Sequence, residues 1–525
     1  MSTEPVTIDV APLAVAGTGH GSDRHAVPAL LACLGELVGE RVRHCSWKSN
    51  DHLVAALAGE TDLDLLVDRH DAARFAAVAS RHGLKRVVPP PAAAFPAMEH
   101  HLGLDRRSGR LFHLHVHYQL VLGERYVKNH RLPVERELLD RTRTLSGVAV
   151  PPAELELAIL VARALLKYRA RDVVKDVLGI RSPGIPAKTR AEIEWLRRGR
   201  DLESIRSVLD PISTVVPADI VASFLEVVER NPRSGLDLVR LRARLRRALR
   251  PLRRHSPARA GATYALALWR HRRHLVAGRP GPPAMALPAG GTTVALIGAD
   301  GAGKSTIAAE VARWLGWKLD ARVHYLGSKS PSPPTDWLYL GFRALRRSHR
   351  AVSRRLGDGS PAASPIAKLR NLALALHHLS VAQDRRRHHA RARRHARGGG
   401  IAVLDRYPLA CLSDRPEHRQ LDGPQIAAVL GRHPGWFGRA LAEVEAGRYR
   451  RFGLPDHLVL LDVDPLVAAR RKPDHRLEVI RAKARAASEL AELADAAGAD
   501  VVRIDANRPL ASVLLDVKRW LWDVL

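Results

Sequence analysis

The chain is poor in cysteine, methionine and aromatic residues, and it has no long hydrophobic run. Its three cysteines, Cys33, Cys45 and Cys411, are scattered through 525 residues and point to neither a disulfide framework nor a cysteine-rich zinc site. No apolar stretch approaches the ~20 residues needed to cross a bilayer. The longest candidates, VALIG and ATYALALW, are short and flanked by charge. The opening MSTEPVTIDVAPLAVAG has no basic segment ahead of its apolar part, so no signal peptide is expected and a cytoplasmic location fits. Acids are scarce relative to bases: 54 Asp and Glu stand against 84 Lys and Arg, a formal net charge of +30. That surplus suits nucleic acid, an anionic membrane surface or anionic small molecules. Aromatics make up 5% of the chain and few interleave with the basic runs as a single-strand binder requires, so nucleic acid is not the expected partner.

What is present is enough apolar residue, 46%, to fill sizeable cores, at a length that implies two to four domains. Residues 1–28 read as a flexible lead-in. Residues 29–150 read as an α+β domain: DLDLLV behaves as a strand, ARFAAVASRHG as a helix stopped by glycine, and GRLFHLHVHYQLVLG as an alternating strand. Residues 151–277 read as helical. There, Leu238, Leu241, Leu245, Leu249 and Leu252 form one stripe among arginines. A bundle helix with a basic solvent face is the favoured reading, and a helix lying on an anionic membrane the less favoured one. Residues 278–291, rich in proline and glycine, read as a linker. From 292 to 525, apolar strands alternate with helices, which implies a parallel sheet covered on both faces.

The sharpest motif is GADGAGKST, residues 298–306, following the strand TVALIG and opening a helix. Gly298, Gly303, Lys304 and Ser305 fit G-x-x-x-x-G-K-[ST]. Glycines permit the tight turn that aims successive amides (Gly298, Ala299, Asp300, Gly301, Ala302, Gly303, Lys304, Ser305, Thr306) at phosphate oxygens. The helix N-terminus adds its positive end. Lys304 is expected to reach the β- and γ-phosphates of ATP, and the Ser305 hydroxyl to hold Mg²⁺.

Beyond the motif, GADGAGKST resembles the loop of thymidylate kinases. VLDRYP (403–408), the helical segment VAQDRRRHHARARRHARGGG before it, and PDHLVLLDVDPLVAARRK (455–472) resemble further parts of that family in the same order. The resemblance covers about 230 residues and implies the following roles. Asp300 would face the acceptor, and Asp405 would sit by the metal. Arg406, with Tyr407 beside it, would clamp the acceptor phosphate, Arg385 would contact its base, and Arg470 and Arg471 would close over the transferring group. It implies an ATP- and magnesium-dependent kinase acting on a small nucleotide, most readily a nucleoside monophosphate. The chain departs from the family at Ile297, where a glutamate is usual, at PLACLSDRPEHRQLDGPQ, and in an extra arginine-rich stretch near 341–370. These departures concern the acceptor, so phosphoryl transfer is better supported than thymidylate as its target. A homo-oligomer is compatible with the sequence.

In the front domain, Ser49-Asn50 and then Asp62-Leu63-Asp64 resemble the nucleotidyltransferase superfamily, in which two acids on one strand face hold Mg²⁺. The family's third carboxylate has no counterpart here; His113, His115 and His117 occupy the candidate strand. Three readings stay open: an active transferase with a histidine-modified site at Asp62 and Asp64, a degenerate domain that binds without chemistry, or a separate transition-metal site in the histidine row. Rival functions for the whole chain are a nucleotidyltransferase with a regulatory P-loop half and an ATP-gated basic binding module.

Overall fold

The computed structural model describes residues 25–91, 93–124, 126–168, 172, 184–230, 235–276, 284–327, 331–356, 363–413, 415, 418, 422–430 and 435–525. The expected lead-in up to residue 24 and the first part of the expected linker, 278–283, lie outside them.

The front of the chain builds a five-stranded sheet from β1 (His44–Ser46), β2 (Leu63–Val67), β3 (Lys85–Val87), β4 (Met98–Asp105) and β5 (Arg110–His117), in the order β1-β2-β5-β4-β3. Only β2 and β5 run parallel; the other pairs are antiparallel. Alternation divides its side chains between two faces. Leu63, Leu65 and Val67 of β2 and Phe112, Leu114 and Val116 of β5 pack against the helices Pro28–Gly39 and Ala72–Arg81. The other face carries the acids and histidines at one end and Leu102, Leu104 and Leu111 at the other. Two hairpins follow, β6 (Leu120–Glu124) with β7 (Val127–Leu132) and β8 (Arg143–Leu145) with β9 (Val148–Val150).

The middle region is helical. The helix Ala153–Lys167 is buried along most of its length, including Leu155, Leu157, Leu160 and Val161, and acts as its central post. The arginine-flanked stripe lies on the helix Gly235–Ala248 and just beyond it. Its members Leu238, Leu241, Leu245 and Leu249 are buried in the core formed with the central helix, with Leu252 packed against it. The apolar face is covered by protein, as in a bundle helix.

The last 234 residues hold a fully parallel sheet of β10 (Thr292–Gly298), β11 (Ala321–Tyr325), β12 (Ile401–Asp405), β13 (His457–Asp462) and β14 (Asp500–Asp505), ordered β11-β12-β10-β13-β14. Its central strands are apolar on both faces, as a covered sheet requires. Val294, Leu296, Val403 and Val459 face the helices Lys304–Leu315 and Leu510–Val524. Ala295, Ile297, Leu404 and Leu458 face Ala363–Arg397 and Leu477–Ala496. The chain leaves β10 toward one edge and later returns to its other side at β13. The crevice beyond the carboxyl ends of β10, β12 and β13 is therefore the switch point at which such sheets bind ligands.

The two sheets share a core. Val87, Leu102, Leu104 and Leu111 of the front sheet belong to the same apolar cluster as Val294, Val311, Val517 and Trp522. The tail of the expected linker is built into this seam: Ala286 pairs with Val88, and Met285 with Leu319. Trp522 Nε1 donates to the Gly83 carbonyl at 3.1 Å. Among the described residues, no helix is long and apolar enough to cross a membrane.

Candidate functional site

The GADGAGKST segment lies between β10 and the helix Lys304–Leu315. Gly298, Gly301 and Gly303 have φ of 142°, 91° and 90°, conformations that side chains other than glycine rarely take. Two of them also lack room for a side chain. A Cβ on Gly298 would lie 2.6 Å from the Leu461 carbonyl oxygen, and one on Gly301 would lie 2.6 Å from that of Ala468. The Lys304 ammonium folds back into the loop and donates to the carbonyls of Gly298 at 2.9 Å and Ala299 at 2.6 Å. Burial, followed by the nearby Arg406 charge, lowers its pKa to about 8. The ammonium is thus held at its own loop by two carbonyl oxygens and, with a pKa of about 8, stays mostly charged at neutral pH.

Ser305 and Asp405 are a hundred positions apart but meet because β10 and β12 pair with Leu296 opposite Asp405. The Ser305 hydroxyl donates to Asp405 Oδ2 at 2.6 Å. Asp405 is 3% exposed, and its other oxygen, Oδ1, is buried with no partner. A buried carboxylate oxygen without a donor is costly unless a cation or water meets it. A hydroxyl and a carboxylate side by side at a phosphate loop are the hard oxygen donors that suit Mg²⁺, so the residues present fit that ion.

Beside the loop lies a pocket bounded by Asp300, Lys304, Arg406, Tyr407, Leu409, Asp422 and Lys483. Asp300 receives Lys483 at 2.6 Å and Arg406 at 3.2 Å, with His475 at 3.8 Å. Burial alone would raise the Asp300 pKa; the Lys483 hydrogen bond and the charges of Lys483, Lys304 and Arg406 hold it well below the usual carboxylate range. Arg406 takes a left-handed backbone at φ 68° and also approaches Asp422 at 3.7 Å. Tyr407 lines the pocket but sends its hydroxyl inward to the Gly453 carbonyl at 2.8 Å.

The remaining expected residues lie differently. Arg385 is 5% exposed and its donors are taken up by protein: Leu326 carbonyl at 2.9 Å, Asp422 carbonyl at 2.8 Å, Tyr449 hydroxyl at 2.6 Å and Asp422 Oδ1 at 2.6 Å. It is not among the residues lining that pocket, and it ties down Asp422, which is one of them. Arg470 and Arg471 end the helix Pro465–Arg471. Arg470 is exposed, and Arg471 donates to the carbonyls of Ala506 at 2.9 Å and Asn507 at 3.3 Å, near the end of β14. Sequence reasoning missed Lys483, Asp422 and His475. Lys483 sits in RAKARAASEL, an ordinary amphipathic pattern, and only packing brings its ammonium to Asp300.

In the front sheet, Asp64 on β2 stands opposite His115 on β5, which stands opposite His100 on β4. Asp64 Oδ1 receives Lys48 and His115, each at 2.8 Å, and His117 at 3.4 Å. Asp62 pairs with His113 at 2.9 Å and with Lys318, which follows the helix that begins at Lys304. Burial is the largest cause lowering the pKa values of His115 and His117, to about 3 and about 4, which leaves both rings neutral at pH 7. Among the described residues, Asp64, His115 and His117 bring one ligand atom each to within 4.8 Å of one another. Asn50 is fixed from below by Glu156, which accepts from its amide nitrogen at 2.8 Å and its backbone at 3.1 Å.

No protein-family model matches the chain. It is 27% identical over 230 residues to YghS, an uncharacterized ATP-binding protein of Escherichia coli K12, spanning 42% of this chain and 88% of that protein. It is 26% identical over 230 residues to YghR, another uncharacterized ATP-binding protein of the same strain, spanning 42% of this chain and 83% of that one. Structures of deoxyadenosine kinase from M. mycoides align with 44% of the chain at 12% and 13% identity, with TM-scores of 0.28 and 0.26. Those scores are too low to carry weight.

Proposed function

We propose that the chain is an ATP- and Mg²⁺-dependent phosphotransferase of the thymidylate kinase-like class, moving the γ-phosphoryl of ATP to a small acceptor, with a nucleoside monophosphate the leading class. The observation that carries the reading is the Ser305–Asp405 contact beside the glycine loop, with a cation-lined pocket opening directly onto Lys304. The ATP-binding names of the two bacterial relatives agree with it.

In this reading the loop amides and Lys304 bind the β- and γ-phosphates, and Lys304 gives up the Gly298 and Ala299 carbonyls to do so. Ser305 and Asp405 Oδ1 would hold Mg²⁺, which would supply neutralisation of charge on the phosphates. Arg406 and Lys483 bind and orient an anionic acceptor. Asp300, kept ionised by those cations, holds them in place at the pocket. The acceptor oxygen bonds to the γ-phosphorus as the bond to the β,γ-bridging oxygen breaks, releasing ADP. The charge spread over the transferring oxygens calls for cations, and exposed Arg470 is the residue free to swing in. The test is turnover with ATP, Mg²⁺ and a panel of nucleoside monophosphates, read by mass spectrometry. A phosphorylated acceptor is expected, and Lys304→Ala should abolish it while circular dichroism stays unchanged; turnover surviving in that variant would refute the assignment.

A second reading, nucleotidyl transfer at the front sheet, is favoured by Asp62 and Asp64 sharing one face beside His115 and His117. Loss of pyrophosphate release in Asp62→Ala/Asp64→Ala, with kinase turnover intact, would support it.

A further inference from the structure

A second cavity lies far along the chain from the glycine loop, and none of its lining residues lines the loop's pocket. It encloses about 220 Å³ between the β6–β7 hairpin, the helix Gly235–Ala248 and the helix Pro257–Val276. Its wall carries His130, Arg242, Arg246, Arg253, Glu124 and Tyr264. His130 sits on β7, where its backbone bridges Arg253. It is 5% exposed, yet both ring nitrogens are buried without a hydrogen-bond partner. Buried imidazole nitrogens normally find partners, so a ring with neither satisfied indicates a partner that belongs in the cavity.

The charge points the same way. Three guanidiniums face the cavity against the one carboxylate of Glu124, a surplus of two positive charges among the described residues. Arg242 meets Glu124 at 3.0 Å. Arg253 spends one donor on the Arg246 carbonyl at 3.2 Å, and its Nε is buried without a partner. Burial, together with Arg246, Arg253 and Arg242, lowers the His130 pKa to about 4, so the ring is neutral and offers one N–H. Forked guanidinium donors beside a neutral imidazole match the oxygens of a phosphate group, and a dianion balances the surplus. The volume takes a phosphate with a small attached group and falls below the ~300 Å³ at which drug-sized pockets begin.

We infer that this cavity binds a small phosphate monoester, held by Arg246, Arg253 and His130, at a site separate from the glycine loop. The reading is independent of the proposed phosphotransfer.

The experiment uses the full chain carrying Lys304→Ala, which disables the glycine loop. Isothermal titration with ribose 5-phosphate should give one equivalent bound, and ribose should give none. Inorganic phosphate binding as tightly as the ester would assign the site to free phosphate, within the same chemistry. Adding Arg246→Met and Arg253→Met should weaken binding about tenfold or more, since each removes a charge-assisted contact. Absence of binding in the Lys304→Ala chain, or unchanged affinity after the two methionine substitutions, would overturn the inference. A second readout does not depend on those variants. In ¹⁵N-histidine-labelled protein, the ring signal lost in His130→Gln should move on saturation with ribose 5-phosphate, and a stationary signal would also overturn it.

Discussion

Replacing Gly301 with alanine separates two penalties that usually come together. Gly301 and Gly303 have nearly equal φ, 91° and 90°, so an alanine at either position meets about the same left-handed backbone cost, roughly 1–2 kcal/mol. Their surroundings differ. At Gly303 the new methyl would meet only Ile307 Cδ1 at 3.9 Å, ordinary contact. At Gly301 it would lie 2.6 Å from the Ala468 carbonyl oxygen and 3.2 Å from two more Ala468 backbone atoms, which no rotamer can relieve. Either the loop or the helix Pro465–Arg471 must shift, and overpacking of this kind costs a further ~1–3 kcal/mol. Calorimetric melting without nucleotide should therefore lower Tm for Gly303→Ala by about 3–6 °C, and for Gly301→Ala by about twice that, at ~2–4 °C per kcal/mol for a unit of this size. Because Ala468 shares its helix with Arg470 and Arg471, Gly301→Ala should also slow phosphotransfer with ATP affinity changed less. Equal melting temperatures for the two variants would refute the argument that Ala468 is the obstacle.

Three further outcomes are expected. Lys304 must be protonated to hold phosphate, and burial beside Arg406 has lowered its pKa to about 8, so kcat/KM for ATP should be flat below pH 8 and fall about tenfold per unit above it. A profile that keeps rising past pH 9 would contradict this. Lys483→Met should raise the acceptor KM by about tenfold and leave that for ATP unchanged, because Lys483 supports Asp300 in the pocket proposed for the acceptor; equal rises in both KM values would count against that division. Arg385→Met should cost about 3–5 kcal/mol in urea unfolding, since it strands the buried contacts to Asp422 and Tyr449, with no change in which base is accepted. A switch in base preference at full stability would refute this and give Arg385 a role in reading the base.

The parts of this site that were legible in the sequence are those written locally. The strand, glycine loop and helix around Lys304 follow from composition and spacing within about fifteen residues, and strand alternation alone put His113, His115 and His117 on one face. The meeting of Ser305 with Asp405 depends on the pairing of β10 with β12, which the order of motifs suggested but did not determine. What stayed hidden was set by packing across the fold. Asp300 acquires Lys483 from a helix nearly two hundred residues on, and Asp62 acquires Lys318 from the other sheet's territory. Arg385 is set by packing too. The position that matches a base-contacting arginine by resemblance bonds here to Leu326, to Tyr449 and to Asp422, and only Asp422 comes from the remodelled segment after Asp405.

The seam between the two sheets sets a condition on dissecting the chain. The proline- and glycine-rich stretch before β10 invites a cut there. Yet Leu102, Leu104 and Leu111 on one side and Val517 and Trp522 on the other would each be left facing water, and the Val88–Ala286 pairing would be severed. A fragment beginning at the glycine-loop strand would bring into solution a sticky flank that the whole molecule never shows, so insolubility or self-association of such a fragment would report on the cut rather than on the chemistry of its loop.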